Sequence, residues 1–160
     1  MSVEVATEAD IAAIMAIERG PGFESLVGRW SNGEHSEEMA NPASRYFVLR
    51  ASGDIEGFAI VQRLDDTDRK AHLKRIAVRV AGSGAGSRLM LGILDWLFAN
   101  TETNRIDLDV FVGNERARRA YEKAGFTVEG RLRDYHRQPD GSYRDMWLMS
   151  ILRREWEART

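Results

Sequence analysis

The passage from Leu73 to Phe98 constrains the fold most. A short strand-like run, with Leu73 followed by Ile76 and Val78, passes through Gly82, Gly84 and Gly86 into Leu89, Met90, Ile93, Leu94, Leu97 and Phe98. The later residues recur at helical spacing and make one broad apolar face that must be buried against a sheet. A helix entered directly from a strand turns the chain back across that sheet. Arg105 to Val112 then resumes a period of two, with Ile106, Leu108, Val110 and Val112 alternating against Asp107, Asp109 and Phe111. The result is one parallel βαβ crossover. A further helix from Glu115 to Lys123, closed by Gly125, follows it.

The rest of the chain builds outward from that unit. Thr7-Glu-Ala-Asp10 has the form of a helix capping box, so a first helix is predicted from Glu8 to Arg19, ended by Gly20-Pro21. Phe23, Leu26, Val27 and Trp30 predict a second short helix, and the polar stretch Ser31 to Pro42 reads as a mobile connection. Arg45 to Ala51 and Ile55 to Leu64 form a hairpin about Ser52-Gly53-Asp54; a third strand, His72 to Val78, follows the turn at Asp65 to Asp68. Phe126 to Tyr135 and Tyr143 to Leu152 close the chain as a hairpin around Pro139-Asp140-Gly141. The order βααβββαβαββ specifies an α/β fold with a mixed six- to seven-stranded sheet, mostly antiparallel with one parallel crossover. At 160 residues, with no repeat, linker or low-complexity tract, residues 1–160 are expected to form one domain.

Several chemistries are disfavoured by what is missing. With no cysteine there is no disulfide frame, thiol nucleophile or thiolate metal site. The histidines, His35, His72 and His136, lack metal-ligand spacing, so no metal is expected. A net charge of −2 supplies no field for gathering nucleic acid. The first residues lack a basic and apolar leader, and no run approaches the ~20 apolar residues of a membrane span. A soluble cytoplasmic protein is the resulting expectation.

The glycine loop, Arg79 to Arg88, points to function because backbone N–H groups unobstructed by Cβ atoms converge on anions at a helix N-terminus. Glycines also punctuate tight turns, and at this level both readings stand. Three named loops do not fit. There is no lysine for a P-loop, the glycine spacing is not that of a Rossmann fingerprint, and Ser83 stands in Ala-Gly-Ser-Gly-Ala rather than in a nucleophile elbow. On the strand after the loop, Asp107 and Asp109 occupy a face that a helix-covered sheet would make apolar, so that face is expected to open into a cleft.

The segment after that strand carries Asn114, Ala117, Tyr121, Gly125 and Phe126 in the order Asn-x-x-Ala-x-x-x-Tyr-x-x-x-Gly-Phe. Together with the glycine loop it resembles the GNAT superfamily of N-acetyltransferases, and the element order agrees over nearly the whole chain. Leu108-Asp109-Val110 and the stretch from Arg133 to Asp145 look most similar to the branch acting on ribosomal-protein N-termini. One departure stands out. Burying Leu89 and Met90 sets Gly84 and Gly86 as the motif glycines, which puts Ala81 where the family has Gln or Arg.

The resemblance implies an acetyl-CoA-dependent enzyme that transfers an acetyl group to a primary amine, of a small molecule or a peptide N-terminus, in a direct ternary complex. Asp109 then corresponds to the family's general base, against a plainer reading as a strand-end acid bridged to Arg105. Tyr121 corresponds to the general acid. The cofactor contacts implied are Ile76, Ala77, Val78, Gly82, Ser83, Gly84, Ala85, Gly86, Ser87, Arg88, Asn114 and Tyr121. Arg116, Arg118 and Arg119 are candidates for the cofactor's 3′-phosphate, and His72, beside Lys74, for a second base. Phe23 and Trp30 are expected to shape the acceptor pocket. Acidic groups at Glu34, Glu37, Glu38, Asp65, Asp66 and Asp68 would suit a cationic amine. The expected partners are acetyl-CoA, an amine acceptor and a second copy in a homodimer. The rival reading is a non-catalytic acyl-CoA-binding or sensing module on the same scaffold.

Overall fold

A computed structural model describes residues 1–20 and 29–159. Its seven strands are β1 (Ser2–Val5), β2 (Arg45–Ala51), β3 (Asp54–Gln62), β4 (Lys70–Val78), β5 (Arg105–Phe111), β6 (Thr127–Arg137) and β7 (Tyr143–Leu152). They form one sheet in the order β1-β2-β3-β4-β5-β7-β6. Every neighbouring pair is antiparallel except β4 and β5, where the predicted crossover falls. The helices are α1 (Ile11–Glu18), α2 (Asn32–Ala40), α3 (Ala85–Asn100), α4 (Glu115–Ala124) and a short α5 (Arg153–Glu157) that the sequence reading did not predict.

The main core lies on the α3 side, where Leu89, Ile93, Leu94 and Leu97 pack against Phe47, Leu49, Ala59, Val61, Leu73 and Ile106. Each such side chain, withdrawn from water, contributes about 1.5–3 kcal/mol. On the other face α1 packs over Tyr46, Val48, Phe58, Ile60 and Ala77. Strand β4 serves both cores through a bulge. Its Leu73 pairs with Val61 and its Arg75 with Ile60, leaving Lys74 as the extra residue. Past the bulge the faces exchange, so Ile76 and Val78 join Leu73 on the α3 side while Arg75 and Ala77 turn to α1. The three-residue step from Leu73 to Ile76 is the sequence trace of that bulge.

One expectation needs correction. Ser31 to Pro42 is not a mobile connection but holds α2. Ser31 Oγ accepts from the Glu34 amide at 3.2 Å, and Glu34 Oε1 accepts from the Ser31 amide at 3.0 Å, a complete capping box. The helix escaped detection because it has no apolar stripe and is seated on polar groups. His35, fully buried, lies with Nε2 2.7 Å from Glu18 Oε1 and Nδ1 2.6 Å from the Tyr46 hydroxyl. Arg75 Nη1 donates to the same Glu18 oxygen at 2.9 Å, and its guanidinium lies 4.5 Å over the Trp30 ring. These contacts join α1, α2, β2 and β4 around one carboxylate. Phe23, Leu26 and Val27, three of the four residues behind the predicted second helix, lie outside the described residues.

Candidate active site

Beyond the crossover the sheet divides. Strands β4 and β5 pair only at Lys70 with Arg105, Ala71 with Ile106 and His72 with Asp107. From there β4 continues to Val78 along β3, and β5 continues to Phe111 along β7. The carboxyl halves of two parallel strands therefore part, opening the sheet at the point where ligands of open α/β sheets settle. Ile76, Ala77 and Val78, named from sequence as cofactor contacts, form the β4 margin of this opening.

The glycine loop lies at the end of the same strand. Gly82 and Gly84 take φ of 79° and 84°, a region that favours glycine, and Gly84 is the N-cap residue of α3. A Cβ at Gly84 would meet nothing within 4 Å, so its requirement is conformational. A Cβ at Gly82 would lie 2.6 Å from Arg116 Nη2, which places that guanidinium, carried by α4, directly on the loop. The Ser83 hydroxyl donates to the Val80 carbonyl at 2.7 Å. Arg88 instead donates to Met1 Sδ at 2.7 Å. Arg118 is engaged by Glu115 and Glu122 within its own helix, and Arg119 is exposed. Leu89 and Met90 are buried, in keeping with Gly84 and Gly86 as the motif pair.

Two ionisable groups with raised proton affinity stand on opposite faces of the sheet. Tyr121, on α4, packs on the α3-side core with its ring 6.1 Å from Phe126. Burial pushes its phenol up to about 12, and its hydroxyl has no hydrogen-bond partner among the described residues. Asp109 points the other way, since its neighbours Leu108 and Val110 belong to the α3-side core. It is half-buried, and desolvation raises its carboxyl above the usual range; His72 is the strongest opposing influence and the nearby Asp107 adds to the rise. Next to it His72 Nδ1 stands 2.6 Å from Asp107 Oδ1, while Arg105 is held chiefly by Glu129 at 2.5 Å. Asn114 caps α4, its Oδ1 accepting from the Ala117 amide at 3.4 Å.

The acceptor-side residues are more committed than their sequence positions indicated. Trp30 packs against the α1-side core within the Glu18 cluster, and Phe23 lies outside the described residues. Glu34 caps α2, and Glu38 accepts from Gln62 at 3.1 Å and from Ser44. The contact between Arg116 and the loop, the His72–Asp107 pair and the Glu18 cluster each join segments far apart in the chain, and no spacing signal announces such pairs.

The raised carboxyl of Asp109 predicts a cost of burial that depends on pH. Below its unfolded value both states are protonated and the cost vanishes; as pH rises the charged form is disfavoured in the folded state. Asp109→Asn is therefore expected to raise the urea midpoint at pH 7, with the gain shrinking as pH falls toward 4. An equal gain at both pH values, or none, would show that the carboxylate is not under desolvation.

Residues 12–126 match the acetyltransferase (GNAT) family. The chain belongs to that family. It is 33% identical over 111 residues to the putative ribosomal N-acetyltransferase YdaF of Bacillus subtilis, an alignment covering 69% of this chain and 60% of that protein. It is 26% identical over 125 residues to the spermidine N(1)-acetyltransferase of Escherichia coli, covering 78% of this chain and 67% of that one. Among solved structures, the spermidine/spermine N-acetyltransferase SpeG from Vibrio cholerae superposes with a TM-score of 0.83 at 23% identity, over 99% of this chain and 96% of that one. This GNAT chain thus has the mixed sheet of its fold neighbours, with the divided strands and the glycine loop on one side of the opening.

Proposed function

We propose that this GNAT protein is an acetyl-CoA-dependent N-acetyltransferase that passes the acetyl group directly to a primary amine, of a small molecule or a peptide N-terminus. The observation that carries the reading is the divided sheet, with the glycine loop at the N-terminus of α3 at the end of β4 and the half-buried Asp109 carboxylate on β5. The loop fits a pyrophosphate: two glycines with positive φ stand at the N-terminus of α3, and the Arg116 guanidinium supplies a cation where Ala81 supplies none. Bound acetyl-CoA would supply a thioester carbonyl for attack.

The chain's own groups do the rest. Asp109, its proton affinity raised by burial, takes a proton from the amine, directly or through water. Backbone amides of Ile76 to Val78, freed from pairing with β5, hold developing negative charge on the carbonyl oxygen. Tyr121, protonated throughout the neutral range, returns a proton to the departing thiolate. Asn114 has its Oδ1 on the helix cap, which leaves its Nδ2 to donate to the pantetheine arm.

Calorimetric titration with acetyl-CoA, followed by thiol release on a panel of polyamines, amino acids and alanine-initiated peptides, tests this reading. Micromolar binding and release with at least one amine are expected, with Arg116→Gln weakening the binding about tenfold, the worth of one charge-assisted contact. No binding would defeat the proposal, and binding with no release on any amine would favour the sensing module.

A further inference from the structure

The proposed transfer leaves one pair in the opening unused. His72 and Asp107 are register partners and the last residues at which β4 and β5 pair, so they stand where the sheet divides. Their side chains are 18% and 17% exposed, and the Nδ1 to Oδ1 separation is 2.6 Å. A carboxylate can only accept a hydrogen bond, so the proton of this contact belongs to Nδ1. In the neutral ring Nε2 is then a bare acceptor, and it has no partner among the described residues. Asp109 lies two residues beyond Asp107 on the same face of β5. His72, Asp107, Lys74 and Arg63 are the charged groups acting on Asp109, with His72 the strongest; the His72 and Asp109 side chains are not in direct contact, so a proton between them crosses water.

We propose that His72, oriented by Asp107, receives at Nε2 the proton that Asp109 removes from the amine, and releases it to solvent. The role rests on the acetyltransferase reading above. The proton count closes: the amine proton passes to the Asp109 carboxylate, from its carboxyl through an intervening water to Nε2, and from the imidazolium to solvent, restoring both groups. The Asp107 carboxylate keeps the ring in the required tautomer and stabilises the imidazolium, the logic by which a buried acid supports a histidine base. Asp107 is thus a positioning residue. A purely structural staple at the fork of the strands would need the contact but not the tautomer.

That difference sets the experiment. In the intact protein, nitrogen NMR of His72 is expected to show the Nδ1-protonated neutral tautomer, lost in Asp107→Asn, where an amide can donate to the ring instead. With acetyl-CoA and the amine that gives most thiol release, His72→Gln and Asp107→Asn are expected to lower kcat about 10²-fold while acetyl-CoA affinity is unchanged. Added imidazole is expected to restore part of the rate in His72→Gly. Should that variant fail to fold, the other two carry the same test. Unchanged kcat in the folded variants, or a neutral wild-type ring that carries its proton on Nε2 rather than Nδ1, overturns the proposal while leaving the acetyltransferase reading intact. A wild type that binds no acetyl-CoA and releases no thiol defeats that reading, and the relay with it.

Discussion

Glu18→Ala is expected to destabilise the protein by about 3–5 kcal/mol, the usual cost of removing one partner from a buried ion pair. Glu18 and His35 have no exposed side-chain surface, and Arg75 retains 7%. Removing the carboxylate leaves the Arg75 guanidinium without its counter-charge and takes away the group against which the His35 ring is packed, in a site that water cannot re-enter freely. Because the cluster joins α1, α2, β2 and β4, the loss should appear in the global transition rather than in local fraying. Urea unfolding followed by circular dichroism checks this. The double substitution Glu18→Leu with Arg75→Met should recover much of the loss, since it removes both charges together. A single-variant loss below about 1 kcal/mol would mean the cluster is hydrated and contributes little.

Tyr121→Phe is expected to lower turnover by about 10²-fold, or roughly 2.7 kcal/mol of barrier, with acetyl-CoA affinity nearly unchanged. The substitution keeps the ring packed beside Phe126 and deletes only the hydroxyl, which has no hydrogen-bond partner to lose among the described residues. A phenol at about 12 is a weak donor in water. The same desolvation raises the proton affinity of a thiolate in the opening, so donor and acceptor shift together. Single-turnover rates with saturating acetyl-CoA, compared with calorimetric affinity, separate the two contributions. A rate equal to that of the wild type would remove Tyr121 from the mechanism and leave protonation to water.

Much of the scaffold was legible because periodicity is a local property. The apolar face from Leu89 to Phe98 requires a buried helix, the alternation from Ile106 to Val110 requires a strand, and the glycines between Val78 and Leu89 require a turn of unusual backbone. The spacing from Asn114 to Phe126 placed Tyr121 on the helix after that strand. Even the bulge at Lys74 left its trace in the step from Leu73 to Ile76. Four features were decided by tertiary structure alone. Nothing in the polar run around His35 shows that Glu18 and Tyr46 would bury it, nothing in α4 singles out Arg116 as the cation on Gly82, and His72 and Asp107 are 35 residues apart. The parting of β4 from β5 is of the same kind, because pairing depends on which strands each edge meets. Local spacing reports which way a side chain faces; only folding brings distant polar groups together, and there their energies depend on a desolvation that the linear chain does not possess.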